Sequence, residues 1–275
     1  SVMPVNQMNE EKTTRRGYHS PFSHNDEHAE PGLYTVDLDV ASVRLTATEH
    51  TGLHEYVFKG TEPALVIDVG HQMGRGIVSE GYISLSEDSI SFEGSLIMRG
   101  EISDNFPIYF YGLFDQPPQN WGVWEGDNFL ESQNYASLQQ SSEEDSILLG
   151  LWAEFPSQSE VRLRIALSNV DLEGAKRNFE AEHTGFDIEQ DLETARQKWQ
   201  SYFNALQVWG GDEREREIFA TALYHTLQMP TLYSDTDGRY RGFDQEIHQA
   251  ERPYYSDFSL WDTYRTTHPL YTILW

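Results

Sequence analysis

The stretch of this chain richest in chemically useful side chains is residues 256–275, where Trp261, Asp262 and Arg265 fall within five positions. Residues four apart on a helix are neighbours, so this spacing brings the three side chains to one side of a helix. An aromatic ring can cover the apolar C–H face of a sugar, while a carboxylate and a guanidinium hold its hydroxyl groups. A buried tryptophan beside an Asp–Arg ion pair explains the same residues equally well, because such pairs are also common in purely structural roles.

The element that must position these residues is a helix. A second set of side chains in the segment recurs at steps of four, three and four, which is helical spacing. We expect the helix to begin near Phe258, and Pro269 to kink it or end its first half. The members of the stripe are Leu260, Tyr264, Thr267 and Tyr271.

Two other polar clusters have some features of metal sites. The first lacks helical spacing and lies among prolines and a glycine, so we interpret it as a polar loop: His24, Asp26, Glu27 and His28. The second, Asp235 and Asp237 before Gly238, resembles the start of a calcium loop. The later ligands of an EF-hand are missing, which makes that match weak.

Composition limits the classes of function. The chain has 275 residues, enough for one large or two ordinary domains. Its 19 basic and 45 acidic residues give a net charge of −26, which argues against nucleic acid and anionic membranes as partners. It contains no cysteine, which excludes disulfides and thiolate zinc sites. We find neither an apolar run long enough to span a membrane nor a signal peptide.

The first part of the chain has the pattern of a β protein. We expect residues 1–17 to be disordered or a tail, because residues 6–16 are polar and lack periodicity. From there to about residue 168, roughly ten short strands separated by turn residues predict an antiparallel β-sandwich domain over 18–168. The predicted strands are residues 34–38, 43–47, 53–58, 64–69, 82–85, 90–98, 108–114, 147–155 and 161–167.

The second part has the pattern of a helical protein. Asp171, Asp187 and Asp212 are each followed by apolar residues at helical steps, so we expect them to cap three helices. Gly185 and the pair at 210–211 interrupt the pattern, which predicts linker helices over 169–211. We expect the helices from 212 to 275 to open an all-α domain that the chain leaves incomplete, because its apolar last residues lack a glycine stop or basic last turn.

Two tryptophans of the predicted sandwich allow two interpretations, one functional and one structural. Trp121 and Trp124 could be exposed plates that stack on sugar, which would favour a non-catalytic carbohydrate-binding module with the helices as a docking linker. They could equally form a tryptophan corner that closes the sandwich. Glycan binding by residues 18–168 alone would favour the first alternative.

Four blocks of sequence, in order, resemble glycoside hydrolase family 92, the calcium-dependent exo-acting α-mannosidases. The most specific is Tyr255-Ser-Asp-Phe-Ser-Leu-Trp-Asp-Thr-Tyr-Arg-Thr-Thr-His-Pro-Leu-Tyr-Thr272, and the others are residues 20–34, 170–182 and 221–242. The resemblance implies an N-terminal β-sandwich packed on a C-terminal (α/α)6 barrel. This agrees with the change of pattern near residue 169, and the fold class we predict is a β-sandwich followed by the first helices of such a barrel.

The resemblance also implies inverting hydrolysis of a terminal α-mannoside. One carboxyl group protonates the leaving oxygen, and an opposite carboxylate activates water. In the family the general acid, the general base and the main calcium ligands lie in a later part, so we name no catalytic residue and no metal ligand in this chain. The fragment alone is expected to be inactive, with mannose-containing glycans and the rest of its own barrel as partners and a secreted or periplasmic location.

Substrate-binding residues follow by resemblance only. Trp261 and Asp262 are expected to face the terminal mannose, and Arg265 to brace Asp262 or the helix. Arg241 and Asp237 are weaker candidates, for which an ion pair within their own loop is the alternative. Another sugar enzyme with a sandwich and a helical toroid, such as a disaccharide phosphorylase, remains a further alternative.

Overall fold

A computed structural model describes residues 1–72, 76–100, 105–140 and 145–274. Two antiparallel sheets form a sandwich and helices follow it, which confirms the predicted fold class. The strands of the sandwich are β1 (Val2–Asn6), β2 (Glu27–Glu30), β3 (Leu33–Asp37), β4 (Ala41–Ala47), β5 (Thr51–Phe58), β6 (Pro63–Asp68), β7 (Ile77–Leu85), β8 (Ser91–Arg99), β9 (Phe106–Phe114), β10 (Asn120–Glu125), β11 (Asn128–Glu131), β12 (Tyr135–Gln139), β13 (Leu149–Glu154) and β14 (Glu160–Ser168).

The sandwich consists of a five-stranded and a nine-stranded sheet. Their orders are β1-β6-β13-β10-β11 and β12-β7-β8-β9-β14-β5-β4-β3-β2. Alternate residues of most strands point inward, as the two-residue period of a strand requires, and they fill one main core between the sheets. Tyr56, Phe92 and Phe114 are among the largest fully buried side chains of this core.

The N-terminal segment is ordered, so the prediction of a tail over residues 1–17 is wrong. β1 pairs along its length with β6, a 3-10 helix spans Glu10–Thr13, and a short helix α1 spans Arg15–Tyr18. Val5, Met8 and Tyr18 are buried in a second apolar cluster on the outside of the five-stranded sheet. The polar residues between these three gave no local indication that the segment is ordered. Its order depends on pairing with β6, about sixty residues away.

Neither of the two sandwich tryptophans is an open plate for a sugar. Trp124 is 0% exposed and belongs to the second apolar cluster, while Trp121 is half-buried against the main core. Trp124 lies directly opposite Gly150 in the β10–β13 ladder, and an added Cβ at Gly150 would come within 2.2 Å of its ring. The glycine therefore makes the space that buries this tryptophan, and the exposed-plate interpretation is wrong.

Three helices follow the sandwich at the predicted caps: α2 (Leu172–Glu182), α3 (Ile188–Asn204) and α4 (Glu213–Thr226). Asp171, Asp187 and Asp212 each accept hydrogen bonds from backbone N–H groups of the first turn, which satisfies donors that a helix start leaves free. β14 ends at Ser168, next to the predicted division of the chain at 168/169, and the domain boundaries stay a prediction.

A buried ion pair attaches α3 to the sandwich. Arg164 of β14 is fully buried, and its Nη2 lies 2.5 Å from Oδ2 of Asp191 in α3. The same guanidinium donates to Thr51 Oγ1 and to the carbonyl of Gly185, so both of its terminal nitrogens donate hydrogen bonds. Pairing of this kind is required because an unpaired buried charge is costly.

The C-terminal segment holds two helices where we predicted one. The elements after α4 are β15 (Thr231–Leu232), β16 (Arg239–Arg241), β17 (Ile247–Gln249), β18 (Tyr255–Ser256), α5 (Leu260–Thr263) and α6 (Thr267–Leu274). The helix breaks before Pro269, which instead occupies the first turn of α6, where a missing N–H costs little. Trp275 lies outside the described residues. Among the helices of the described residues, none is both long and apolar enough to cross a membrane.

Candidate functional site

The segment that carries the predicted site is fixed at both ends. β18 pairs with β15 at its start, and the Tyr271 hydroxyl near its end lies against the carbonyls of Thr226 and Met229, which share its one proton. Between these anchors the backbone runs through α5, none of whose residues is buried. The segment is therefore held against α4 while the side chains of α5 face outward.

Trp261, Asp262 and Arg265 lie together on this exposed surface. Trp261 is 85% exposed, and its ring stacks on Tyr264 with centroids 6.2 Å apart. Asp262 accepts a hydrogen bond from the Ser259 hydroxyl. Arg265 donates from Nε to the Tyr264 hydroxyl at 2.8 Å, and its guanidinium carbon lies 5.4 Å from the centre of that ring.

Arg265 is thus described in contact with Tyr264 rather than with Asp262, which differs from the arrangement in which it braces the carboxylate. The result is an aromatic plate of Trp261 and Tyr264 with a carboxylate beside it. Such a surface can cover the apolar face of a sugar ring and accept hydrogen bonds from its hydroxyl groups. The assignment of these residues to substrate stays a prediction.

Arg241 and Asp237 are engaged within the protein. Arg241 donates to the backbone carbonyls of Asn169 and Val170, each at 3.0 Å, and also to that of Gln245. Asp237 accepts from Arg239 Nε at 2.8 Å and lies 3.0 Å from Arg177 Nε. The Asp237 ion pair thus lies partly within its own loop, whereas Arg241 ties the β16 strand to the end of the sandwich.

Asp235 and Asp237 do not form a calcium loop, because their carboxylates face different partners. Asp235 is buried and accepts from Ser168 Oγ at 2.7 Å and from Asn178 Nδ2 at 2.9 Å. Burial raises the pKa of this carboxyl, although both hydrogen bonds act in the opposite direction. Asp235 therefore joins its loop to β14 and α2.

The cluster near residue 24 behaves as a polar turn. Asp26 accepts from the backbone N–H and hydroxyl of Ser23, and Glu27 accepts from the Tyr34 hydroxyl at 2.7 Å. His24 Nδ1 lies 2.6 Å from Glu27, and its side chain is almost fully exposed. The carboxylates of this turn are used locally, in agreement with the loop interpretation.

A network around His50 was not predicted from the sequence. His50 Nδ1 lies 2.5 Å from Glu182 Oε1 at the end of α2, and its Nε2 lies 2.8 Å from the Ser234 carbonyl oxygen. The backbone N–H of His50 also donates to Glu182. These partners are more than 130 positions from His50, so no local pattern could indicate them.

Glu49, His50 and Glu182 together are the one group of potential metal ligands found within the described part of the chain. Calcium prefers six to eight oxygen ligands. Here the imidazole nitrogens are already bonded to Glu182 and Ser234, and Glu49 is paired with Lys198. The group therefore does not fit a calcium ion.

A groove of about 1410 Å³ lies between strands β2–β5 of the nine-stranded sheet, α3 and the C-terminal segment. Its described lining contains none of the five predicted site residues. Each carboxylate in its lining is paired with a basic side chain of the protein. The pairs are Glu30–Arg196, Glu49–Lys198, Glu182–His50 and Asp191–Arg164.

Comparison with known families and structures gives a consistent result. Residues 1–168 match the family model of the glycosyl hydrolase family 92 N-terminal domain. Residues 174–275 match the family model of the glycosyl hydrolase family 92 catalytic domain. No curated protein matches the chain.

Several solved structures have the same fold. A family 92 inverting mannosidase from Bacteroides thetaiotaomicron VPI-5482 is 25% identical with a TM-score of 0.84, over 98% of this chain and 36% of that one. A family 92 α-mannosidase from Bacteroides thetaiotaomicron in complex with mannoimidazole is 22% identical with a TM-score of 0.86, over 98% and 36%. The gh92 family glycosyl hydrolase ccman5 is 22% identical with a TM-score of 0.81, over 94% and 36%. This chain thus spans about a third of the length of these relatives.

Proposed function

The chain belongs to glycosyl hydrolase family 92, and we propose that it is part of an α-mannosidase that releases terminal α-linked mannose from glycans with inversion, in a calcium-dependent reaction. The observation that carries the proposal is the exposed Trp261 beside Asp262, in the part of the chain that matches the family 92 catalytic domain. One similar solved structure is named as an inverting mannosidase.

In this proposal the chain supplies the sandwich and part of the wall of the mannose site. Trp261 covers the apolar face of the terminal sugar, and Asp262 accepts hydrogen bonds from its hydroxyl groups. Arg265 holds the Tyr264 ring that lies beside Trp261. Arg241 and Asp237 act at a distance: Arg241 holds the loop before the segment against the end of the sandwich, and Asp237 holds it against α2.

The acid and base of the reaction belong, in this proposal, to a later part of the enzyme. Inverting hydrolysis needs two carboxyl groups about 6.5–9.5 Å apart, one to protonate the leaving oxygen and one to activate water. Calcium would bind oxygen atoms of the sugar and the protein there, since the ligand group around His50 does not suit it.

The same proposal accounts for the apolar side chains that are exposed on the helices. Ile218 of α4 is 58% exposed, and Leu260 of α5 and Ile273 of α6 are exposed as well. Exposed apolar faces of this kind are typical of surfaces that pack against a partner. We propose that further helices of the barrel cover them, and that the enzyme works in a secreted or periplasmic location.

The test is the replacement Asp262→Ala in the full-length enzyme. Removing a charged hydrogen-bond acceptor should cost about 1.5–3 kcal/mol of transition-state binding, roughly a ten- to hundredfold loss in kcat/KM on an α-mannobiose. Glu251→Ala removes an exposed carboxylate outside the segment and serves as the control. An unchanged kcat/KM in folded Asp262→Ala enzyme would refute the assignment of Asp262.

The reaction type is tested on the same sample. Mannose release should stop when a calcium chelator is added and return with calcium. Release of free mannose without phosphate supports hydrolysis, whereas a requirement for phosphate would identify a phosphorylase and overturn the proposal.

A further inference from the structure

The outer face of the nine-stranded sheet is only partly covered by helices. In the described contacts α2 packs mainly on β14 and β9, with few contacts to β8. Three tyrosines and several small polar residues occupy the face beyond it, on β9, β8, β7 and β12. We call this surface the tyrosine face, and its members are Tyr82, Tyr109, Tyr135, Ser84, Ser95, Ser137 and Glu93. We propose that the tyrosine face binds a neutral glycan, at a site separate from Trp261 and Asp262.

Strand register arranges the tyrosine face as an alternation of rings and small polar groups. One row across the strands reads Ser137, Tyr82, Ser95 and Tyr109. The next row contains Tyr135, Ser84 and Glu93. Neighbouring strands lie about 4.8 Å apart, so the backbone positions of Tyr82 and Tyr109 are roughly 10 Å from each other, with Ser95 between them.

The rings nearest the sheet edge are accessible. Tyr135 is 55% exposed, and its ring stacks on Tyr82 with centroids 6.3 Å apart and planes inclined by 28°. Tyr82 and Tyr109 are half-buried, so they are held in place by their neighbours while keeping an open side. Aromatic rings held in this way lose little conformational entropy when a ligand binds.

Polar groups border the rings. Ser95 and Ser84 lie between them at the level of the sheet, and Ser137 is exposed beside Tyr82. Glu93 is paired with Lys176 of α2 at 2.9 Å, which places one carboxylate and one ammonium at the border of the face. Hydroxyl and charged groups around aromatic rings match the two aspects of a sugar, its C–H face and its hydroxyl groups.

The chemistry of the tyrosine face favours a neutral glycan over other occupants. The net charge of −26 disfavours phosphate-bearing or sulfated ligands. A protein partner would be expected to require a more continuous apolar patch than rings separated by serines. An open sheet surface can contact several successive sugar units, so the ligand class is a chain of neutral pyranoses rather than a single terminal sugar.

The position of the tyrosine face supports a separate role. It lies at the β12 end of the nine-stranded sheet, whereas the groove beside the C-terminal segment adjoins β3 and β4 at the other end. The proposal goes beyond hydrolysis and is tested by binding without turnover, so it stands or falls independently of the proposed activity.

The experiment measures binding of the full-length enzyme carrying Asp262→Ala, alongside the 275-residue chain, to a soluble α-mannan and a soluble β-glucan by affinity gel electrophoresis; retardation of the chain but not of the enzyme would overturn the proposal. We expect at least one polysaccharide to retard the chain, and Tyr135→Ala to weaken that binding about three- to tenfold, the size of one aromatic stacking contact. Tyr135→Phe keeps the ring and should retain most of the affinity. Trp209→Ala, at an 87% exposed aromatic residue outside the face, is the matched control and should bind as the unmodified chain does.

A second variant keeps the test decisive if Tyr135→Ala disturbs the sheet. Ser137→Arg adds a long side chain beside Tyr82 at an exposed position, so it should block binding without removing a ring. Absence of binding to both polysaccharides overturns the proposal. Binding that survives both Tyr135→Ala and Ser137→Arg, or that is lost only in Trp261→Ala, overturns it too.

Discussion

His50 shows how a single side chain can join three distant parts of this molecule. Its two ring nitrogens face a carboxylate of Glu182 and the carbonyl of Ser234, and both of these groups only accept hydrogen bonds. Both hydrogen bonds form at once only when both nitrogens carry a proton, which is the imidazolium form of the ring. Burial opposes that charge, but the hydrogen bonds to Glu182 and Ser234 raise the pKa of His50 above its usual value.

The pH dependence of stability tests this arrangement. A histidine whose folded pKa is raised stabilises the fold below its unfolded pKa, about 6.5, and loses that contribution as the pH rises through the folded pKa. The pKa of Glu182 is lowered, so its contribution is present above about pH 4.3 and is lost at lower pH. The pair should therefore contribute most between about pH 5 and 6.5.

The measurement compares the free energy of unfolding of the unmodified chain with that of His50→Gln, by urea titration at pH 5.5 and pH 8.5. We expect a difference of about 1 kcal/mol at the lower pH, reduced from the value for a buried charged bond by solvent screening, and a smaller one at the higher pH. Asp235 and Glu49 also face this ring but are present in both proteins. A difference that does not fall with pH would contradict the imidazolium assignment.

At the scale of elements, the β10–β13 strand pair depends on one cross-strand fit. Trp124 occupies the space above Gly150, and the ring also contacts the cluster that holds β1 and α1 in place. The N-terminal segment is therefore stabilised through a tryptophan whose burial a glycine on the next strand permits. The glycine at position 150 thus contributes to the order of the N-terminal segment, which is far from it in sequence.

Gly150→Ala should destabilise the protein because its Cβ would meet the Trp124 ring at 2.2 Å and the Ile67 carbonyl at 2.3 Å. Overpacking of this kind costs about 1–3 kcal/mol. Gly52→Ala is the matched control, since a Cβ in that strand would meet only the end of the His54 side chain, at an ordinary 3.6 Å. Equal midpoints of denaturant unfolding for the two variants would show that the close fit does not matter.

At the scale of the whole molecule, polar contacts join the sandwich to the helices. Arg164 binds Asp191, Asp235 binds Ser168, and Arg241 binds the carbonyls that follow β14. Contacts of this kind depend on direction and fix the orientation of the first helices. In the proposed enzyme they would set the position of Trp261 relative to the acid and base that the remaining barrel provides.

We predict that the 275-residue chain alone does not hydrolyse an α-mannobiose, because the proposed acid and base belong to the remaining part of the barrel. The full-length enzyme should release mannose under the same conditions. The check is an assay of both proteins at equal concentration, together with the intact mass of the native protein. Measurable turnover by the isolated chain would show that it contains its own acid and base.

Local sequence determined most of the element pattern. Asp171, Asp187 and Asp212 were predicted as helix caps because capping uses a side chain and a backbone N–H within three residues of each other. The strands of the sandwich were predicted from alternation, short apolar runs and the turn residues between them, and four blocks of sequence, most specifically the one around Trp261, indicated the family. These signals share one physical cause, which is that the interacting groups are close along the chain.

Tertiary structure decided everything that depends on distant partners. The order of β1 comes from β6, the burial of Trp124 from Gly150, and the raised pKa of His50 from Glu182 and Ser234. In the same way, only strand register brought Tyr82, Ser95 and Tyr109 into one row. No window of sequence contains such pairs, because the free energy that forms them arises when separate elements pack and exclude water.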